Sequence, residues 1–440
     1  MNLFKRFEAF LFSPLSTTGF GLMRSAWAAT ALAFFLMQMG NVQFFYGPEG
    51  LIPSSLEHLI TRNFDRFTLL DVFPNTAVPL YALLIVSLVC SMLGVLPRLS
   101  TILSFVLMAS FHERNPLILG GGDTVLRLVG FLLCIAPRID AFSLSKVRRQ
   151  WNHWKTKRTL LPQETMSIWP YRLLLWQVIV IYATSTWYKL LGTMWWDGTA
   201  VSATLQQELF ARWDRSVMSL FLPMSPLVTW FTLAFEAAWI LLLYPRSATR
   251  WMFAWEPQPA FKRLLIILGI LFHGGIFVLM DVGSFSLAMM VAYCGLLTGE
   301  DVAAIKRWMN KQFTNPKSLI SNPSIIVLYD GHCGLCLRSI FGLQILDAFK
   351  RLQYVNFRDT KEKNAVAPDL SEKELDKAMH ILTPEPYRGF DGFRLLAWYL
   401  PALWPVAPFL YIPGIPWIGR KVYAHIAQSR KRCDHENCAI

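Results

Sequence analysis

Up to about residue 300 the chain alternates long apolar runs with short polar breaks, and most runs are uniformly apolar, without the one-sided stripe of a soluble helix. They fall at 22–40, 77–95, 99–111, 122–137, 172–192, 226–244, 262–280 and 282–298. This pattern predicts about eight membrane spans, several short enough to need tilt or local thinning of the bilayer. Ahead of them, Lys5 and Arg6 among Phe4, Phe7, Phe10, Leu11 and Phe12 predict an amphipathic lead-in on the lipid headgroups over 1–20. Met1 to Ser16 offers no small-residue cleavage site, so the first span is expected to stay as an anchor. Beyond 300 the pattern changes. Ile325-Ile326-Val327-Leu328 reads as a short buried strand, and Leu337, Ile340, Phe341, Leu343 and Ile345 recur at helical spacing up to Lys350. The expected architecture is a polytopic α-helical membrane domain (21–300), a basic linker (301–322), a C-terminal α/β domain (323–432) and a Cys/His tail (433–440).

Composition agrees with a membrane protein, since 54% of the residues are hydrophobic and only 16% charged. A net charge of +13 would point a soluble protein toward nucleic acid. Here the basic residues gather in loops, where they report orientation, and no nucleic-acid partner is expected. The 138–171 loop holds Arg138, Lys146, Arg148, Arg149, Lys155, Lys157 and Arg158 against Asp140 and Glu164, whereas 41–76 mixes signs. The first of these is assigned to the cytoplasm. With an even number of spans, Arg246, Arg250, Lys262 and Arg263, the linker's Lys306, Arg307, Lys311 and Lys317, and both termini follow it there. The expected location is the inner (plasma) membrane. Phe409 to Ile418 is apolar but broken by Pro413, Gly414 and Pro416, and reads as a loop docked on the membrane domain instead of a further span.

Ionisable groups inside apolar runs are costly, about 2.5–3.5 kcal/mol or more at a span centre, so each is a candidate for function. Glu236 and His273 lie mid-run and are expected to face the bundle interior and to meet or share a ligand. Lys189 ends a polar stripe with Gln177 and Ser185 on one helical face, and either lines the same cavity or snorkels to the surface. Asp123 and Arg127, four apart after Gly120-Gly121-Gly122, either pair or cap their helix.

The thiols show a sharper pattern. Cys90, Cys134 and Cys294 sit inside apolar runs, where a thiol acts as a small hydrophobe. Tyr329-Asp330-Gly331-His332-Cys333-Gly334-Leu335-Cys336 instead places two thiols three apart between a strand and a helix. Helix N-terminal N–H groups and the dipole there favour a thiolate on Cys333, so Cys333 is the expected attacking thiol, the more exposed of the two, and Cys336 the resolving one. The alternative is half a zinc site, which needs two more ligands from among His332 and the distant Cys433, His435 and Cys438.

The same residues resemble the DCC family of thiol-disulfide oxidoreductases, whose motif is Tyr-Asp-Gly-x-Cys-x-x-Cys after an apolar strand. Downstream, Leu352 to Phe357 is similar to the family's second strand, Tyr387 to Gly392 to its turn and helix start, and Tyr423 to Arg430 to its closing helix. The resemblance implies a thioredoxin-like domain over about Pro323 to Arg432, with Cys333 and Cys336 catalytic, Tyr329, Asp330 and Gly331 supporting them, and a protein or small-molecule disulfide as partner. No proline stands immediately before the strand around Met379 to Leu382, where thioredoxins carry one. A second resemblance rests on Tyr188-Lys189-Leu190-Leu191-Gly192-Thr193-Met194-Trp195-Trp196-Asp197-Gly198-Thr199-Ala200, Phe235-Glu236, Phe272-His273 and Phe285-Ser286. These are similar to the horizontally transferred transmembrane (HTTM) family shared with vitamin K-dependent gamma-carboxylases. That resemblance implies a catalytic base at Lys189 and a pocket for a quinone or vitamin K-like lipid.

Overall fold

The structure, a computed structural model, describes residues 3–55, 68–243, 258–313, 325–383 and 386–428. Its residues cluster into two compact units, one of Met1–Gln150 and Pro162–Val302, the other of Trp151–Leu161 and Ala303–Ile440.

In the first unit a helix occupies each of the eight apolar runs. α1 (Leu3–Phe12) and the short strand β1 (Pro14–Ser16) lead into α2 (Thr18–Gln38), α3 (Ala77–Leu93), α4 (Pro97–Arg114), α5 (Gly121–Ile135) and α6 (Leu144–Lys157). β2 (Thr165–Ser167) pairs antiparallel with β1 and is followed by α7 (Trp169–Leu190), α8 (Ser225–Ala238), α9 (Pro259–Leu279), α10 (Phe285–Gly295) and α11 (Gly299–Phe313). Length and composition qualify fewer of them as membrane spans. Among the described residues four stretches are long and apolar enough: Thr18–Tyr46, Pro74–Leu93, Arg215–Leu243 and Pro259–Leu279. A fifth is added if Phe285–Gly295 and Gly299–Trp308, bent where they meet, make one broken span. The expected eight crossings are therefore not shown, and the reasons are physical. α5 has 15 residues, about 22 Å of helix against a hydrocarbon core of about 30 Å. α4 includes Arg98, His112, Glu113 and Arg114, and α7 carries Arg172, Gln177, Ser185 and Lys189.

α2 runs through the middle of this unit, packed on α3, α5 and α10. Trp27 is fully buried and donates its indole N–H to the Leu126 carbonyl at 2.8 Å. Arg24, buried in the same helix, donates to the carbonyls of Ser91, Ala141 and Phe142, and so ties together chain ends that lack helical partners.

The second unit is built on a four-stranded sheet of β3 (Ile325–Tyr329), β4 (Leu352–Asn356), β5 (His380–Leu382) and β6 (Tyr387–Arg388), in the order β4-β3-β5-β6. β3 and β4 are parallel, with Val327 opposite Tyr354. β5 is antiparallel to β3, with Leu328 opposite His380, and β6 is antiparallel to β5. The parallel pair is joined by α12 (Gly334–Leu346), as a parallel connection requires. α13 (Thr360–Val366), α14 (Phe390–Tyr399) and α15 (Ile415–Gln428) complete the unit. Ile325 and Val327 on one face of β3 share a core with Leu337, Ile340, Leu396 and Leu400, while Leu328 on the other packs with Val355, Phe357 and Leu375.

Two boundaries differ from the sequence reading. α12 stops at Leu346, before Lys350, because the Asp347 carboxylate accepts the N–H groups of Arg351 and Leu352, both at 3.0 Å, and so turns the chain into β4. Phe409 to Ile418 is not a loop throughout, since a 3-10 turn over Ala407–Tyr411 gives way to α15 at Ile415. A larger difference is that Trp151–Leu161, read as part of a cytoplasmic loop, belongs to the second unit, and Trp154 is fully buried in its core.

Candidate functional site

The dithiol stands where β3 ends and α12 begins. Asp330 is buried at the turn, and its carboxylate Oδ1 accepts the His332 N–H at 2.9 Å. Gly331 passes so close to Asn356 that a β-carbon there would lie 2.4 Å from the Asn356 amide, and its N–H donates to Asn356 Oδ1 at 2.9 Å. This contact explains the glycine of the motif. Cys333 then adopts the extended backbone of an N-cap, and its sulfur accepts the Cys336 N–H at 3.3 Å. It fills the role usually taken by a serine or aspartate oxygen at a helix start. Neither sulfur is in a disulfide.

Their exposure reverses the expectation. Cys333 is 1% exposed and Cys336 7%. Capping turns the Cys333 side chain in over the first turn of α12, away from solvent. Leu335, between the two thiols, is itself exposed, and Tyr329 is half-buried, its phenol pushed up by burial.

Sequence reasoning missed the residues that hold this turn. Arg358 grips the Asp330 carboxylate with Nε at 3.1 Å and Nη2 at 3.0 Å, and also pairs with Asp376. Burial pushes the Asp330 carboxyl up, but the hydrogen bonds from Arg358 and the His332 N–H outweigh it and hold the group below the ordinary carboxylate range. A signal was available. Asn356 and Arg358 lie at and just after the end of β4, which is parallel to β3, so both strands deliver their carboxyl ends to one edge of the sheet. At the position where thioredoxins carry proline, the Met379 N–H is donated to Tyr423 Oη at 2.9 Å.

A second constellation lies within the helical unit. A cavity of about 580 Å³ is lined by Tyr182, Ser185, Lys189, Trp195, Glu236 and His273 among mostly apolar side chains. Lys189 turns inward, forming an ion pair with Glu236, donating to Ser185 Oγ at 2.7 Å, and placing its ammonium 5.1 Å from the Trp195 ring centroid. Glu236 and His273 are both buried and share this cavity, yet they are not partners. His273 Nε2 is 2.8 Å from Tyr182 Oη, which in turn bonds to Tyr293 Oη. Tyr182 stands three residues before Ser185 and seven before Lys189, the same helical face, so the stripe on α7 has one more polar member than was read. Glu236 Oε2 and His273 Nδ1 are buried without a hydrogen-bond partner. Asp123 and Arg127 do not pair with each other. Asp123 caps α5, accepting the Gly120 N–H at 2.8 Å and the Ser284 hydroxyl at 3.0 Å, and Arg127 pairs with Glu113.

Among the described residues no group of three or more His, Cys, Asp and Glu side chains comes together to hold a metal ion. Cys433, His435 and Cys438 lie outside the described residues, as do Arg246, Arg250 and Lys317.

Comparison with known proteins bears on the second unit. Residues 327–435 match the family model of DCC1-like thiol-disulfide oxidoreductases, from within β3 to beyond α15. That match does not reach the helical unit, and the HTTM resemblance draws no support from it. No curated protein and no solved structure matches the chain.

Proposed function

We propose that the protein is a membrane-anchored thiol-disulfide oxidoreductase in which Cys333 attacks and Cys336 resolves. The observation that carries this reading is the Cys333 sulfur at the N-cap of α12, within a segment that matches a thiol-disulfide oxidoreductase family. Charge on that sulfur is favoured by the Cys336 N–H and by the positive end of the helix dipole. In the forward step the Cys333 thiolate attacks one sulfur of a substrate disulfide, forming a mixed disulfide and releasing the other sulfur as a thiolate. Cys336, once deprotonated, attacks the Cys333 sulfur and releases the second substrate thiolate. The Cys333–Cys336 disulfide forms as the substrate is reduced by two electrons. Asp330, Gly331 and Tyr329 support the turn.

For the helical unit, the HTTM-like reading is favoured by one feature. An apolar cavity carries an ion pair, Lys189 with Glu236, and two unpartnered polar atoms, which suits a lipid-soluble molecule with a polar head. A quinone held there would be an alternative two-electron acceptor from the dithiol, in place of the substrate disulfide. A vitamin K-dependent carboxylase or epoxidase-like activity with Lys189 as base is the alternative, and a non-enzymatic lipid-binding or export-assisting role the third. Placement of both termini in the cytoplasm draws support from Trp151–Leu161. Part of the basic loop, Trp151–Leu161 with Lys155, Lys157 and Arg158, shares a unit with the dithiol, which favours one side of the bilayer for both.

Trapping tests the thiol reading. Cys336→Ser should accumulate mixed disulfides with partners in cells and Cys333→Ser none, and equal trapping by both variants would refute the assigned roles. Mass spectrometry of lipids that co-purify with the intact protein tests the cavity. A quinone retained by the native chain and lost in Glu236→Ala supports the first reading, and bicarbonate incorporation into a peptide would support the alternative.

A further inference from the structure

α15 packs one face on the rest of its unit and leaves apolar side chains exposed on another. Tyr423 on the inner face lies beside Phe393, with ring centroids 6.0 Å apart, and its hydroxyl accepts the Met379 N–H. On the outer face Ile415, Ile418, Val422 and Ile426 follow each other at spacings of three, four and four, and every one of them is exposed. A soluble helix with one packed face would put polar residues there. Trp417 is 61% exposed, and Phe409 and Ile412 of the preceding turn are exposed too. The charged residues that α15 itself carries are all basic. Lys421 lies 3.7 Å over the Trp417 ring, and Arg420 grips Asp391 with contacts of 2.8 and 3.1 Å. No acidic residue occurs from Ile415 to Cys433, and the sequence continues with Arg430-Lys431-Arg432.

We infer that this face of α15 lies in the headgroup region of an anionic bilayer, with the Ile415–Ile426 stripe facing the acyl boundary and Lys421 at phosphate level. Three features select this occupant. The chain carries helices long and apolar enough to cross a membrane, so a bilayer is at hand. An apolar stripe edged by tryptophan and cations is the pattern of an interfacial helix. A second copy of the same face would set like charges against each other. The surface also gives the second unit a hold on the membrane beyond its covalent link. The inference does not depend on the thiol chemistry.

The test uses the full chain in lipid nanodiscs, with a nitroxide carried by a keto amino acid at position 422 and, as a control, at the exposed position 373. In discs containing phosphatidylglycerol the label at 422 should be more accessible to oxygen than to a water-soluble nickel chelate, while the label at 373 should show the reverse. Lys421→Ala should lower the ratio of docked to free states about fivefold, the worth of one basic residue near an anionic surface. Nickel access at 422 equal to that at 373 in every lipid would overturn the proposal. So would a label at 422 shielded from both reagents, which would mean that protein covers the stripe. Mixed-disulfide trapping by Cys336→Ser, measured alongside, reports on the thiol reading separately.

Discussion

The indole N–H of Trp154 donates to Oε1 of Gln344 at 2.7 Å, joining residues 190 positions apart. Trp154 is fully buried, its ring lies 5.8 Å from that of Phe341, and Trp151 meets the same phenylalanine edge-on at 4.9 Å. Gln344 and Phe341 belong to α12, the helix that carries the dithiol at its start. The unit that matches the oxidoreductase family is therefore completed by a segment more than 150 residues upstream of the match.

Removing that segment's anchor should destabilise the dithiol unit. Trp154→Ala is expected to cost about 3–5 kcal/mol, the range for emptying a buried aromatic site. Trp154→Phe keeps most of the volume but leaves Gln344 without its donor, which costs about 1–3 kcal/mol. Hydrogen exchange of α12 in the full chain would read both, and unchanged protection in Trp154→Ala would show that the segment only rests on the unit.

The Asp330–Arg358 pair should make the turn sensitive to acid. The folded-state carboxyl of Asp330 lies below its unfolded value of about 3.9, so its contribution is present above that pH and is lost as the pH falls through the folded value. Asp330→Asn should lower the stability of the second unit at pH 7 by about 1.5–3 kcal/mol, the worth of hydrogen bonds to a charged group. The difference from the native chain should shrink as the pH drops below about 4. A penalty that is constant across pH would contradict this.

Burial of both sulfurs should control access to them. In the folded chain a bulky maleimide should label Cys333 and Cys336 far more slowly than in denatured chain, with each 1.4 kcal/mol of opening free energy slowing labelling about tenfold. Arg358→Gln should speed labelling by freeing the Asp330 turn. Equal rates in folded and denatured protein would mean that the Cys333 cap is not kept in solution.

In the helical unit, Lys189→Met should destabilise strongly, by about 3–5 kcal/mol, because it strands the Glu236 carboxylate in an apolar cavity. Lys189→Met combined with Glu236→Gln should recover most of that loss. Thermal unfolding of the four proteins of this cycle in one detergent gives the coupling, and additive effects would show that the ion pair contributes nothing.

The sequence by itself determined what local chemistry dictates. The eight apolar runs became helices because hydrophobic pattern and backbone hydrogen bonding act within a few residues. The dithiol turn was legible because strand, Asp-Gly turn, thiols and helix are contiguous, and Gly331 is required by a contact with the next strand. Span number was not fixed this way, because α4, α5 and α10 reach helical length or apolarity but not both. The tertiary structure alone decided what depends on residues far apart. It set Lys189, and not His273, against Glu236, and it bonded His273 to Tyr182, because side chains on neighbouring helices pair by distance and rotamer, which no spacing within one helix encodes. It turned the Cys333 sulfur inward to cap α12, and brought Arg358 to Asp330 through the parallel register of β3 and β4. It also drew Trp154 out of a basic loop into the core under the dithiol helix. A tryptophan among lysines and arginines reads as surface in a linear scan, and only the apolar face of α12 gives it a place to be buried.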